Sequence, residues 1–270
     1  MTETLTPPAE TAVTALEARG ITKSFGSVEA LVDVDFEVRY GEVMALVGDN
    51  GAGKSSLIKC IAGIHPFEEG EIFFGGEKVT IGGPKDAGRL GIEVVYQDLA
   101  LCDNLDVVQN MYLGREERSF PWRLKEAPME KRTAEVLKSL SVTTISSIRQ
   151  HVARLSGGQR QSVAIGRAVM WNSRVMMLDE PTAALGVAQT RQVLDLVRRL
   201  AEQGLAVVLI SHNLHDIFEV SDRIAVLRLG RNVAVYDRAS TTQQEVVHAI
   251  TAGMPTKIAG IPSADEEPAP

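Results

Sequence analysis

An α/β fold built on a mostly parallel sheet is what this sequence predicts, with an antiparallel β subdomain near its N-terminal end and an α-helical subdomain inserted in the middle. Three observations predict it. Continuous apolar runs at residues 43–47, 174–178 and 206–211 read as strands buried on both faces, as in a parallel sheet. Strict alternation over residues 31–39 reads instead as a half-buried, antiparallel strand, with Val32, Val34, Phe36 and Val38 inward and Asp33, Asp35, Glu37 and Arg39 outward. Between residues 97 and 151 the strand series stops, and polar, mostly helical sequence replaces it, including a helix at 129–141.

Taken in order, residues 1–15 are rich in Thr, Pro and Glu and read as a disordered extension. The strand at 43–47 then runs into Gly48-Asp49-Asn50-Gly51-Ala52-Gly53-Lys54-Ser55, a full match to G-x-x-x-x-G-K-[ST]. Ser55 and Ser56 open a helix whose apolar face is Leu57, Ile58 and Ile61, with Gly63 near its end. Strand, loop and helix together are the context this motif requires. Gly51 and Gly53 let backbone N–H groups curl around phosphates, and the helix N-terminus adds unpaired amides and a positive dipole end. Lys54 supplies a point charge to the outer phosphates, and the Ser55 hydroxyl suits Mg²⁺. The core is therefore that of a P-loop NTPase, with a nucleoside triphosphate and Mg²⁺ expected at this loop.

The run at 174–178 leads into Asp179-Glu180. Ligands of open α/β sheets lie beyond the carboxyl ends of the strands, so both acids fall near the nucleotide. Side chains alternate along a strand, so the two cannot share one task. Asp179 is placed to hold Mg²⁺ through its water shell, and Glu180 to accept a proton from the attacking water. The plain alternative is a strand end followed by an acidic helix start, with Pro181 in its first turn.

Downstream, Leu155-Ser156-Gly157-Gly158-Gln159 opens a helix spanning 159–170. Ser156 can cap it, and Gly157 and Gly158 expose first-turn amides suited to a phosphate. Next come a helix at 188–203 stopped by Gly204, and a strand and turn over residues 224–231. The Ala-, Pro- and acid-rich stretch 257–270 reads as a disordered tail.

Phosphate loop, acid pair and Ser-Gly-Gly turn together resemble the ATP-binding cassette family over residues 16–255. The resemblance implies further roles. Phe25 would stack on adenine, Gln97 would reach Mg²⁺ and the attacking water, and His212 would contact the γ-phosphate. It also implies a homodimer in which Ser156, Gly157, Gly158 and Gln159 of one copy complete the nucleotide site of the other. Where such proteins usually have Asp after Ala-Leu, this chain has Gly186, so coupling between the two sites is expected to be weaker or made differently. Glu180-Pro181-Thr182-Ala183-Ala184-Leu185-Gly186, with Met111-Tyr112-Leu113-Gly114-Arg115-Glu116 and Gly158-Gln159-Arg160-Gln161, is similar to the ATPases of bacterial monosaccharide importers. Those imply integral membrane permease subunits, a periplasmic sugar-binding protein acting indirectly, and a place on the cytoplasmic face of the inner membrane.

Composition narrows the alternatives. A net charge of −7 argues against a nucleic-acid footprint. No apolar run approaches the ~20 residues needed to span a bilayer, and residues 1–17 lack the basic start and apolar core of a secretory leader. Cys60 and Cys102 offer no disulfide framework, and Met176 and Met177 read as core. His65, His151, His215 and His248 lack ligand spacing. The expected function is an ATP-hydrolysing importer subunit. The alternatives are a soluble ATPase of the same family, an importer subunit for another small solute, or an ATP-binding switch without hydrolysis.

Overall fold

The computed structural model describes residues 13–119, 123–142 and 144–253, and the expectations for residues 1–12 and for the tail fall outside them. Two long strands come first, β1 (Thr14–Phe25) and β2 (Val28–Arg39), followed by β3 (Val43–Val47), α1 (Lys54–Ile61), β4 (Glu69–Phe74) and β5 (Glu77–Val79). β1 runs antiparallel to β2 and β4, giving a four-stranded sheet ordered β2-β1-β4-β5. This corrects the expected extension at its inner end. Thr14 pairs with Arg39, and Ala15 is fully buried in the core.

The alternation in β2 holds for Val34, Phe36 and Val38, all buried, but it reverses upstream. Leu31 is fully buried and Val32 only half-buried. The cause is at Asp33, whose φ of 51° is left-handed, where the pairing slips from Ile21–Val34 to Lys23–Leu31. One extra residue in a period of two moves every upstream side chain to the opposite face.

After α2 (Pro84–Leu90) and β6 (Ile92–Val95) the chain leaves the sheet for the inserted lobe. The lobe holds α3 (Val107–Tyr112), α4 (Glu126–Ser139) and α5 (Gly157–Val169), packed around Met111, Tyr112, Leu137 and Val163. α4 starts earlier than the expected 129–141 and stops at Ser139, because Ser141 is left-handed with φ 55°. A short antiparallel pair, β7 (Arg118–Ser119) with β8 (Arg123–Leu124), stands where mostly helical sequence was expected. Its strands are too short for periodicity to reveal.

Asn110 ties the lobe entrance together. It is fully buried, accepts from the Cys102 N–H at 2.7 Å, and donates to the Cys102 and Asp106 carbonyls, each at 3.0 Å. Asn110→Leu would strand these backbone groups without partners. A loss of about 3 kcal/mol is expected in denaturant unfolding, with the phosphate loop's nucleotide affinity little changed.

The chain returns as β9 (Val175–Asp179), α6 (Val187–Glu202), β10 (Ala206–Ile210), α7 (Leu214–Val220), β11 (Arg223–Arg228), β12 (Arg231–Asp237) and α8 (Gln243–Ala252). The six-stranded sheet is ordered β12-β11-β3-β10-β9-β6, parallel except for β12. All residues of β3 and β10 are buried, and Met176 and Met177 in β9 are fully buried core. Because β3, β10 and β9 are parallel neighbours, the loops after residues 47, 179 and 210 leave the same edge of the sheet. That edge is where the expected site residues gather.

Candidate nucleotide site

The phosphate loop is fitted closely to the backbone beneath it. Gly48 has φ 154°, and a Cβ there would lie 2.2 Å from the Leu227 carbonyl oxygen. Gly53, at φ 103°, is also confined, its Cβ position 2.7 Å from the Ala30 oxygen. The turn between β11 and β12 props the loop from below. The Gly230 N–H donates to the Ala52 carbonyl at 3.0 Å, and the Gly230 carbonyl accepts from the Val32 N–H at 2.8 Å. Gly51 is different, with φ 81° and open space around it.

Over this loop curls Lys54, whose ammonium donates to the Gly48 carbonyl at 2.8 Å and the Asp49 carbonyl at 3.0 Å. Burial lowers its pKa, opposed by the charges of Glu180, Asp179 and Asp49. The parallel register of β3, β10 and β9 puts both acids at the sheet edge from which the loop leaves. No side chain caps α1, so its first amides at Lys54, Ser55 and Ser56 stay available to an anion. Asn50 and Ser55 are exposed.

At the end of β9 the two acids diverge in environment as well as direction. Burial raises the Asp179 pKa, the Glu180 charge adds to the rise, and Lys54 opposes it. Glu180 has φ 55°, a left-handed conformation for a non-glycine residue, held by its N–H bond to the Ile210 carbonyl at 2.9 Å. No helix follows at Pro181, where residues 181–184 form a turn instead. The Glu180 carboxylate thereby meets His212, Oε2 to Nδ1 at 2.5 Å, with the imidazole itself mostly exposed.

Gln97 lies two residues past β6, exposed, in a loop where Leu99 and Ala100 are both left-handed. The Arg167 guanidinium on α5 donates to their carbonyls at 2.9 and 2.8 Å. β6 pairs with β9, Val95 opposite Leu178, so this loop leaves the sheet next to the end of β9 that carries Asp179. Phe25, at the end of β1, is 44% exposed and meets His65 edge-on at 5.2 Å.

The Ser-Gly-Gly turn behaves as a cap. The Ser156 hydroxyl accepts from the Gln159 N–H at 3.4 Å, and the Gln159 side chain accepts from the Ser156 N–H at 2.9 Å. Gln159 also donates to the Thr144 carbonyl at 2.6 Å. Gly157 and Gly158 pack against Leu185 and Gln189, where any Cβ would crowd. Gly186 is the N-cap residue of α6, its N–H donating to the Gln189 side chain at 3.3 Å. The structure thus brings together Gly48 to Ser56, Asp179, Glu180 and His212, with the Gln97 loop alongside. The hydrogen bonds and close packing of Ser156 to Gln159 go elsewhere within the chain.

Sequence reading missed Asp216, Thr182, Asn213 and Gly230. Asn213 and Asp216 have the spacing of a helix N-cap and its third residue, the one local signal that marks the start of α7.

A family model described as ABC transporter matches residues 31–183. The chain is 46% identical over 242 residues to the "Fructose import ATP-binding protein FrcA" of Rhizobium meliloti, covering 87% of this chain and 93% of that protein. It is 45% identical over 236 residues to the "Xylose/arabinose import ATP-binding protein XylG" of Sulfolobus acidocaldarius, with the same coverages. With the "Ribose import ATP-binding protein RbsA" of Yersinia pestis the identity is 42%, but the match spans only 46% of that longer protein. Among solved structures, a nucleotide-free ATP-binding cassette from an ABC transporter aligns with TM-score 0.74 and 28% identity, over 83% of this chain and 91% of that one. A dimeric post-hydrolysis state of the cassette MJ0796, bound to ADP and Pi, aligns with TM-score 0.69 and 25% identity, over 83% and 98%.

Proposed function

This chain belongs to the ABC transporter family, and we propose that it is the ATP-hydrolysing subunit of an importer that brings a monosaccharide into the cell. The proteins similar to it include import ATP-binding proteins for fructose, xylose or arabinose, and ribose. One observation carries the enzymatic reading: Glu180 and His212 meet at the sheet edge, beside the loop that Lys54 covers.

In this reading the amides of residues 51–56 and the Lys54 ammonium bind the β- and γ-phosphates of ATP. Phe25 offers an exposed ring for the adenine. Glu180 takes a proton from the water that attacks the γ-phosphorus, the bond to the leaving ADP oxygen breaks, and phosphate departs. His212 holds the Glu180 carboxylate from its open side. The Ser55 hydroxyl, the Asp179 carboxylate and the Gln97 amide oxygen are hard oxygen donors, the set Mg²⁺ prefers. When bound, the ion neutralises charge on the phosphates.

Ser156 and Gly157 stand exposed at the start of α5, and the hydrogen bonds of Ser156 and Gln159 run to each other and to Thr144, not to the phosphate loop. We therefore place the Ser-Gly-Gly turn over the phosphates of a second copy, in a head-to-tail homodimer. The dimeric cassettes among its structural relatives support this. Gln97 and its loop are the proposed contact to integral membrane permease subunits, to which a periplasmic sugar-binding protein would deliver substrate. No helix among the described residues is long and apolar enough to cross a membrane. The names of the import relatives support a peripheral place on the cytoplasmic face.

Complementation tests the shared site. Ser156→Arg blocks the turn, and Glu180→Gln removes the base, so each protein alone should hydrolyse almost no ATP. Mixing them creates one intact site per mixed dimer, with Lys54 and Glu180 from one copy and Ser156 from the other. Recovery of ATPase in the mixture is expected, and its absence would refute the shared site. Uptake of labelled pentoses and hexoses by cells lacking this chain would identify the sugar.

A further inference from the structure

Glu180 and His212 sit on different loops, and their 2.5 Å contact depends on what holds those loops together. One side chain spans them. Asp216, in the first turn of α7 and only 3% exposed, accepts from Thr182 Oγ1 at 2.8 Å with one carboxylate oxygen. With the other it accepts from Asn213 Nδ2 at 2.9 Å. Thr182 lies two residues after Glu180, and Asn213 follows His212 directly. The contacts close a ring that runs from Glu180 through Thr182, Asp216, Asn213 and His212 back to Glu180. The Asn213 N–H also donates to Ser211 Oγ at 3.0 Å, which stiffens the His212 side of the ring.

Burying a carboxylate is unfavourable unless its oxygens are hydrogen-bonded. Here one donor comes from the loop that carries Glu180 and the other from the loop that carries His212. We propose that Asp216 is a positioning residue for ATP hydrolysis: it brackets the two loops and sets the spacing of Glu180 and His212. It acts through its hydrogen bonds to Thr182 and Asn213. The proposal rests on Glu180 being the base. Glu180 already occupies a left-handed backbone conformation, so its loop has strain to release once the bracket opens. A displacement of about 1 Å at a reacting group costs roughly 10²-fold in rate.

The test compares Asp216→Asn and Thr182→Val, singly and together, by steady-state ATPase and by titration with a fluorescent ATP analogue. Each single variant should lower kcat by about 10- to 100-fold. Nucleotide affinity should stay within about twofold, since the phosphate loop is untouched, and the double variant should be no slower than the worse single one. In the Glu180→Gln background, Asp216→Asn should add no further loss in single-turnover hydrolysis. Normal kcat in both single variants, multiplying losses in the double, or a further loss in that background would each overturn the bracket. Should Asp216→Asn fail to fold, Thr182→Val, which leaves the carboxylate in place, tests the same bracket through its other end. If Glu180→Gln alone hydrolyses at the native rate, the reading of the base fails instead, and the two failures are told apart.

Discussion

Glu180→Gln is expected to bind MgATP with near-native affinity and to hydrolyse it about 10²–10⁴-fold more slowly, a barrier increase of roughly 3–5 kcal/mol. The substitution isolates one property. Glutamine has the size of glutamate, keeps an oxygen that can accept from His212 Nδ1, and leaves the Ile210 carbonyl contact of the backbone N–H unchanged. What it lacks is a basic carboxylate. Removing that charge also relieves the burial-disfavoured Asp179 of a neighbouring like charge, so metal and nucleotide binding should not weaken. Single-turnover hydrolysis beside equilibrium binding separates the two. A variant that hydrolyses within about threefold of the native rate would remove Glu180 from the chemistry.

Gly48→Ala is the second large effect, and it comes from sterics. A methyl group placed 2.2 Å from the Leu227 oxygen must displace backbone, and that backbone belongs to β11, held on one side by β3 and on the other by β12. The 154° φ adds strain to the overlap. Together these should cost about 3–5 kcal/mol and lower the Tm by roughly 10 °C. Nucleotide affinity should fall by an order of magnitude, since the loop's amides leave their alignment. Gly51→Ala is the control: φ is 81°, but nothing lies within 4 Å of the added methyl, so only about 1 kcal/mol of backbone strain is expected. Equal melting temperatures for the two variants would show that the Leu227 contact does not constrain the loop.

The legible parts of this protein were the local ones. The strand, glycine loop and helix from residue 43 to 61 appear where the motif put them. The Ser156 cap on α5 can be read from four consecutive residues, and the structure realises it as a reciprocal pair of hydrogen bonds with Gln159. The polar stretch between β6 and β9 was recognisable as a helical insertion, although its pair of two-residue strands was not. In β2 a local pattern reached its limit: the alternation held on one side of Asp33 and inverted on the other, because the slip in pairing is a property of two strands and not of one.

What the sequence by itself determined, then, is the set of elements and the chemical groups each carries, because helix and strand periods, caps and phosphate loops arise from residues a few positions apart. Tertiary structure alone decided which of those groups meet. Sheet order sets the end of β9 beside the end of β10, so the Glu180 carboxylate and the His212 imidazole come into contact from separate loops. It also threads Asp216 between their loops, and it sends Arg167 to carbonyls 67 and 68 positions away. Such contacts follow from the register and packing of whole strands and helices, which no short window of sequence contains.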